Sequence, residues 1–158
     1  MRKNSTAQRE MPLGRLRNIM ENRRKISSLI PYRVRDNKIF VYLQKRAKDA
    51  KGLPDLFGFF GGGVEGNENP EETLRREIKE ELDFVLESFV HFKKYEFNDS
   101  IQDTFFLEVE DDFDEKIKVL EGEYGKWLSE QEVLSESKFV EDDRVVLKEF
   151  YGFLRAQK

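Results

Sequence analysis

The chain has 158 residues, of which 38% are hydrophobic and 38% charged, and this suits a single domain with its own core. It contains no cysteine, which excludes disulfides, thiolate catalysis and cysteine-ligated zinc, and its apolar runs are too short to span a bilayer. No stretch resembles a signal peptide, so we expect a cytoplasmic protein with no membrane partner.

Charge is distributed unevenly along the chain. Residues 1–25 carry eight Lys and Arg against two Glu, a net +6, whereas the whole chain has a net charge of −4, which leaves −10 on the remainder. Because affinity for duplex nucleic acid comes largely from cations that neutralise phosphates, we expect no general nucleic-acid binding by this acidic body. If the body handles phosphates, metal ions have to act as intermediaries.

Residues 1–25 are predicted to be a flexible basic extension. They are polar, and Pro12 and Gly14 would break an early helix. A disordered extension, or a start codon placed too early with Met20 as the true start, is the favoured interpretation. A nucleic-acid arm and a transit peptide stay open as alternatives. Residues 26–158 are expected to form one domain.

The first elements of that domain are predicted to be strands. Residues 26–34 have a strand pattern, 35–38 a turn composition, and 39–43 a continuous apolar run that indicates a strand buried on both faces. After a polar loop over 47–54, residues 56–60 form a short aromatic strand that is expected to end at three consecutive glycines.

Residues 69–82 carry the strongest helix signal in the chain. Asn69 can act as the N-cap, Pro70 fits the first helical position, and Glu72 lies three residues after Asn69 as in a capping box. The C-terminal end is expected at Asp83, in a left-handed conformation that Asp tolerates better than most residues.

The remaining elements are predicted from alternation and helical periodicity. Strands are expected over 89–97, 101–110 and 124–128, and the segment 111–115 has the composition of an acidic loop. A closing helix is expected over 142–156, with Val146, Phe150 and Leu154 on one face.

The helix over 69–82 places three carboxylates on one patch. At about 100° per residue, Glu77, Glu80 and Glu81 cluster beside the apolar stripe that would dock on the sheet (Leu74, Ile78 and Leu82). A Glu-rich helix is most often a solvated face. Three clustered carboxylates nevertheless repel one another, and Mg²⁺, which prefers oxygen ligands, would offset that repulsion.

The spacing of these residues resembles the signature of the Nudix hydrolases, G-x5-E-x7-R-E-U-x-E-E-x-G-U, in which U is a bulky aliphatic residue. The chain supplies the matching positions Gly62, Glu68, Arg76, Glu77, Ile78, Glu80, Glu81 and Phe84. It departs at Asp83, where the family has Gly, and at Phe84, which is aromatic. The resemblance implies an α/β fold of the α+β type, an α/β/α sandwich with a mixed β-sheet between helices.

The resemblance also implies roles for the residues of the signature. Glu77, Glu80 and Glu81 would bind Mg²⁺, or Mn²⁺ as a substitute, with help from the Gly61 carbonyl. Arg76 would pair with Glu68 and hold the loop against the helix. Glu121 would be a further ligand or the general base. The residues implied to be catalytic are Arg76, Glu80, Glu81 and Glu121, with Gly62 and Glu68 as structural members of the motif.

The substrate expectation depends on residues after the signature. The segment from Glu121 to Trp127 resembles the Glu-Gly-x-x-Gly-x-Trp segment of the MutT-like branch. No proline follows Pro70, which disfavours the ADP-ribose and pyridine-nucleotide branches. The best prediction is hydrolysis of a nucleoside triphosphate, normal or oxidised, to the monophosphate and pyrophosphate. Dinucleoside polyphosphates, sugar nucleotides, capped RNA and a non-catalytic sensing role stay open, as does a homodimer.

Three aromatic residues, Tyr32, Phe57 and Phe59, could line a base pocket, although aromatic side chains near a sheet are more often part of the core. His91 is the only histidine and lies in a predicted strand. A structural role is favoured for it over a catalytic one.

Overall fold

A computed structural model describes residues 12–15 and 22–157 of the chain. The prediction of a flexible basic extension over residues 1–25 falls largely outside these residues. The first strand begins at Arg24, two residues before the predicted start of the domain. Within the described residues, no helix is both long and apolar enough to cross a membrane.

Residues 22–157 form seven strands and four helices. In chain order these are β1 (Arg24–Arg35), β2 (Lys38–Lys45), β3 (Phe57–Gly58), β4 (Phe60–Gly63), α1 (Pro70–Leu82), β5 (Val90–Glu96), β6 (Ser100–Glu108), α2 (Phe113–Lys116), β7 (Tyr124–Ser129), α3 (Glu130–Ser135) and α4 (Glu141–Ala156). Residues 13–15 are helical as well, so Gly14 does not break a helix there as expected.

The strands form one mixed sheet with the order β3-β2-β1-β6-β5, to which β4 adds alongside β1 and β7 alongside β2. β1 runs parallel to β6 and antiparallel to β2 and β4. The first residues of β1 therefore lie between β4 and β6. Ser28, for example, is opposite Gly61 on one side and Thr104 on the other.

Helices cover both faces of the sheet. Neighbouring residues of β1 point to opposite faces, so Leu29 packs in the cluster that contains Leu74 of α1, and Ile30 in the cluster that contains Phe150 of α4. The predicted α/β/α sandwich with a mixed sheet is confirmed. The predicted burial of the second strand on both faces is confirmed for residues 41–43, which are all buried.

The local signals behave as the sequence predicts in two places. The turn between β1 and β2 has positive φ at Asp36 and Asn37, as a two-residue hairpin turn requires. In α1, the Asn69 side chain accepts from Glu72 N at 2.8 Å and the Glu72 carboxylate accepts from Asn69 N at 3.3 Å. Asp83 ends α1 in the left-handed conformation, with φ 48° and ψ 42°.

Two loop predictions were wrong. The glycines were expected to end a strand, but residues 60–63 form strand β4. Glycine makes this pairing with β1 possible, since Gly61 has φ +143° and a Cβ there would collide with the Ser27 carbonyl of β1. The acidic segment 111–115 was expected to be a loop, but α2 begins within it and buries Phe113. The short helix α3 was not predicted.

Candidate active site

The three carboxylates of α1 differ in exposure because the helix packs on the sheet through the neighbouring stripe. Leu74, Ile78 and Leu82 are completely buried. Glu81 is only 2% exposed, whereas the side chain of Glu77 is 14% exposed and that of Glu80 is 51% exposed. The exposure of the three carboxylates therefore increases from Glu81, which is buried, through Glu77 to Glu80, which is half exposed.

Glu81 is a buried carboxylate held against the glycine strand. The backbone N–H of Gly61 donates to both of its oxygens, at 3.2 and 3.3 Å. Burial, and then the adjacent Glu77 carboxyl, raise the pKa of Glu81 well above its ordinary value, and the charge of Glu121 acts in the same direction. No Lys, Arg or His of the described residues lies within 4 Å of the Glu81 carboxylate.

Gly62 is where the glycine strand approaches α1 most closely. A Cβ at this position would lie within 2.7 Å of both oxygens of the Glu77 carboxylate. Only a residue without a side chain lets the carboxylate stand against the backbone here. The close approach explains physically why a glycine is needed at the start of the motif.

Arg76 connects the loop between β4 and α1 to the helix. Its Nε and Nη2 donate to the two oxygens of Glu68 at 2.7 and 2.9 Å, and Nη2 also donates to the Gly63 carbonyl at 2.8 Å. The guanidinium, assisted by the Glu65 backbone N–H, lowers the pKa of Glu68 to about 2. Arg76 Nη1 also contacts Glu77 at 2.8 Å and, more loosely, Glu80 at 3.4 Å.

Glu121 reaches the same region from the segment before β7. Leu120 N donates to the Glu81 carbonyl at 2.7 Å, which ties this segment to the last turn of α1. The Glu121 carbonyl accepts from Gln44 Nε2 at 3.1 Å, while the residue itself is exposed. The structure thus brings Glu121 near Glu81.

The donor set suits a hard divalent cation, because it consists of carboxylate oxygens and includes one that is buried without a counterion. In the part of the chain that the structure describes, no three acidic or imidazole side chains already converge on one point. Arg76 engages Glu77 and Glu80 instead. Cation binding would require these two carboxylates to turn from the guanidinium toward Glu81.

A cavity of about 420 Å³ opens beside Gly61 and Gly62, on the α4 side of the sheet. Its polar walls include Gln102 of β6 and Asp143 of α4. Phe59 N donates to Asp143 Oδ2 at 3.1 Å, and Gln102 Nε2 approaches Asp143 Oδ1 at 3.4 Å. Burial raises the pKa of Asp143 to about 6, against the lowering effect of these two hydrogen bonds.

Sequence reasoning missed Asp143 and Gln102. Neither residue belongs to a motif, and the only available signal was an acidic pair, residues 142 and 143, at the start of a predicted helix. All three aromatic residues Tyr32, Phe57 and Phe59 pack in the core, and Phe59 also lines the cavity. His91 is 45% exposed in its side chain and contacts Asp103 at 3.0 Å.

The fold and the acidic loop–helix site together define a member of the Nudix class. A family model described as "NUDIX domain" matches residues 23–150, and the chain belongs to this family. It is a Nudix hydrolase, a pyrophosphohydrolase that acts on acid anhydrides.

Relatives and solved structures agree with this assignment. The 8-oxo-dGTP diphosphatase of Escherichia coli (strain K12) is 32% identical over 98 residues, which cover 61% of this chain and 74% of that protein. The MutT-like branch that the sequence favoured is therefore supported by a relative.

The similar solved structures share the fold at low identity. The NUDIX domain of Shewanella oneidensis NrtR, complexed with ADP ribose, has a TM-score of 0.68 at 15% identity and covers 84% of this chain and 88% of that chain. A structure from a study of MutT of Aliivibrio salmonicida and Vibrio cholerae has a TM-score of 0.63 at 24% identity, with 80% and 95% covered. A Caenorhabditis elegans Ap4A hydrolase has a TM-score of 0.61 at 20% identity, with 84% and 98% covered.

Proposed function

We propose that this Nudix hydrolase uses Mg²⁺ to hydrolyse a nucleoside triphosphate, normal or oxidised, to the monophosphate and pyrophosphate. The observation that carries the proposal is the pair Glu77 and Glu81. Glu81 is buried and Glu77 largely buried, the Glu77 carboxylate disfavours ionisation of Glu81, and no described cation is paired with Glu81. A divalent cation would relieve this repulsion, which is otherwise a cost without a function.

The proposed ligands are the carboxylates of Glu77, Glu80, Glu81 and Glu121, together with the Gly61 carbonyl. When bound, the cation would neutralise the polyphosphate charge and lower the pKa of an attacking water. Mn²⁺ has similar preferences and is the expected substitute. The exposed carboxylate of Glu121 is the candidate to accept the proton of that water, since it is near the patch but is not held by Arg76.

Arg76 is proposed to have a structural role, in which it holds the loop between β4 and α1 in place. Its bonds to Glu68 and to the Gly63 carbonyl fix the loop against α1, so that the glycine strand stays beside Glu77. If Glu77 and Glu80 turn toward a cation, Arg76 keeps its two bonds to Glu68 and its bond to Gly63. The guanidinium therefore has partners in both arrangements.

The cavity beside Gly61 and Gly62 is the proposed site for the nucleoside. Its volume of about 420 Å³ is within the range of small-molecule sites. Asp99, Asp142 and Asp143 give it acceptors that suit the N–H donors of a base. The relative from Escherichia coli, an 8-oxo-dGTP diphosphatase, makes an oxidised purine the preferred candidate.

The alternatives come from the structural neighbours and from the family. ADP-ribose and diadenosine tetraphosphate are candidate ligands by analogy with two neighbours. The alternative from a different functional class is a domain that binds nucleotides without hydrolysing them. The discriminating experiment is a panel of dGTP, 8-oxo-dGTP, ADP-ribose and diadenosine tetraphosphate, each with Mg²⁺ and with a chelator.

We expect the panel to show pyrophosphate release from a triphosphate, abolished by the chelator. The matched control is Glu80→Gln, which removes a charge at nearly constant shape and should strongly reduce turnover. Faster hydrolysis of ADP-ribose or diadenosine tetraphosphate would reject the triphosphate assignment. Ligand binding without any product would instead favour the sensing role.

A further inference from the structure

A second cleft lies beside the start of β1, and we propose that it binds phosphate groups of an elongated nucleotide ligand. We call it the basic cleft and define it by Arg23, Arg24, Lys25 and Lys94, which line it together with Gly66 and Asn67 of the loop between β4 and α1. It encloses about 800 Å³. The proposal concerns binding alone; it rests on the nucleoside site proposed above but not on the proposed reaction.

The basic cleft is separate from the nucleoside cavity. Along β6, Ser100 and Gln102 line the nucleoside cavity, whereas Ile101 and Asp103 line the basic cleft. Because successive residues of a strand point to opposite faces, the two spaces lie on opposite sides of the sheet. Arg24 and Ile26 line both, at the edge where they meet.

The basic cleft also adjoins the Nudix loop. A Cβ at Gly63 would lie 3.3 Å from Arg24 Nε, so the Arg24 side chain stands against the residue next to Gly62. Gly63 in turn offers its carbonyl to Arg76. A ligand with several phosphates could therefore extend from the carboxylate patch toward the basic cleft.

The positive charge of the basic cleft is not neutralised by its own acidic residues. Glu68 is bound through both oxygens by Arg76, and Asp103 contacts His91 at 3.0 Å. Lys94 lies opposite Asp103 in the strand register, yet the two form no ion pair. Glu68 is thus engaged by Arg76, and Asp103 forms no ion pair with any of the four cations that define the cleft.

Three of the four cations are without an ion-pair partner within 4 Å among the described residues, namely Arg24, Lys25 and Lys94. Arg23 contacts the exposed Glu96 at 3.6 Å and donates from Nη1 to the Phe97 carbonyl at 3.3 Å, and its buried Nε has no hydrogen-bond partner among the same residues. Four like charges around one cleft repel one another, as the carboxylates of α1 do. A bound anion would remove that repulsion.

Phosphate is the anion that this set fits. Arg offers paired N–H donors that match phosphate oxygens, and Lys adds a mobile point charge. The volume of the cleft exceeds what one phosphate needs, and the nucleoside cavity can already hold a single nucleoside. The ligand class that uses both spaces is a nucleotide with a second phosphate-bearing unit.

The test measures binding without hydrolysis. Fluorescently labelled diadenosine tetraphosphate is titrated with the full chain in a chelating buffer at low salt, and the titration is repeated at several salt concentrations. The double variant Lys25→Gln/Lys94→Gln removes two unpaired charges that have no proposed role in catalysis. Lys148→Gln, an exposed lysine on α4, is the matched control.

We expect the double variant to bind about tenfold more weakly. The slope of log affinity against log salt concentration should fall in magnitude by between one and two, because fewer counterions are released when fewer phosphates are contacted. The control should bind as the wild type does. Inorganic pyrophosphate should displace the probe, and adenosine should not. Unchanged affinity in the double variant, or equal displacement by adenosine, would overturn the proposal.

Turnover of dGTP with Mg²⁺, measured in parallel, distinguishes this proposal from the proposed function. The double variant should keep the wild-type kcat, because neither lysine contacts the carboxylate patch. If the salt slope changes but no nucleotide is hydrolysed, the basic cleft stands and the proposed reaction fails. If dGTP is hydrolysed but binding is insensitive to the two lysines, only the basic cleft is rejected.

Discussion

Glu81 and Asp143 are two buried carboxylates on opposite faces of the sheet, and their surroundings differ in an informative way. Each accepts a backbone N–H from the same short stretch, Glu81 from Gly61 and Asp143 from Phe59. Burial is the main cause of a raised pKa in both. The stretch around β3 and β4 therefore presents N–H donors to one helix on each side.

The neighbours of the two carboxylates set them apart. Glu81 is next to Glu77 and within the field of Glu121, so further negative charges disfavour its ionisation. Asp143 has the Gln102 amide within reach, and the charge of Asp142 has only a small effect. A divalent cation offsets the mutual repulsion of a group of carboxylates, whereas a proton or a neutral hydrogen-bond donor offsets the cost of burying a single carboxylate.

The largest expected effect comes from neutralising Glu81. Glu81→Gln removes the buried charge at nearly constant shape, so cation binding is lost and kcat should fall by about 100-fold or more. The melting temperature without metal should stay the same or rise, because one source of repulsion is gone. The measurement is steady-state turnover of the best substrate alongside thermal melting.

Asp143→Asn is the matched substitution in that experiment. It should change KM more than kcat, because Asp143 faces the nucleoside cavity and not the carboxylate patch. Equal losses of kcat in the two variants would show that the two carboxylates do not differ in the way proposed.

The second largest effect is expected for Glu121→Gln, which tests whether Glu121 and Glu81 belong to one cation site. Glu121→Gln should lower kcat by roughly tenfold or more with little change in KM, as expected for a group that acts when the water is activated. Glu123→Gln, two residues away and exposed, is the control. Similar small effects in both would remove Glu121 from the site and weaken the likeness to the MutT-like branch.

A third, smaller effect is the stabilisation of the folded state by metal. A ligand present at about 100 times its Kd adds about 2.7 kcal/mol, which raises the melting temperature of a domain of this size by roughly 5 to 10 °C. Mg²⁺ should give such a shift in the wild type and in Asp143→Asn, but not in Glu81→Gln. A shift that survives in Glu81→Gln would place the cation elsewhere.

The contrast between Glu81 and Asp143 also shows what the sequence could predict. The carboxylate patch was predictable because its causes are local: a capping box, an apolar stripe and a run of glycines, all within residues 61–84. Asp143 was not, because its burial depends on Phe59, which is 84 positions away in sequence. Gln102 likewise meets Ser28 across 74 positions. Contacts of this kind follow from strand order, which local patterns do not encode.

The errors in secondary structure have a similar origin. α2 and α3 have four and six residues, too few for a helical period to appear in the sequence. α3 did carry a local signal, the capping box of Ser129 and Glu132. β4 was missed because three glycines suggest a turn, whereas here they permit a close approach between strands.

The smallest expected effect, and the one most specific to Asp143, is a pH dependence of stability. Its folded pKa is about 6 and the ordinary value is 3.8. Since the folded pKa is raised, the stability that protonated Asp143 contributes is present below about pH 4 and is lost as the pH rises through about 6. A shift of about two units corresponds to about 2 to 3 kcal/mol in this fully buried group.

Asp143→Asn removes that loss, because the amide has no charge to bury and its oxygen can still accept from Phe59 N. The melting temperature of the variant should therefore equal that of the wild type near pH 4 and exceed it by roughly 5 °C near pH 8. Asp142→Asn, the exposed neighbour, should show a smaller difference. If Asp143→Asn instead melts lower than the wild type at the higher pH, the ionised carboxylate stabilises the fold. In that case Arg46, which lines the same cavity and already lowers the pKa of Asp143, would be the cation that offsets its charge.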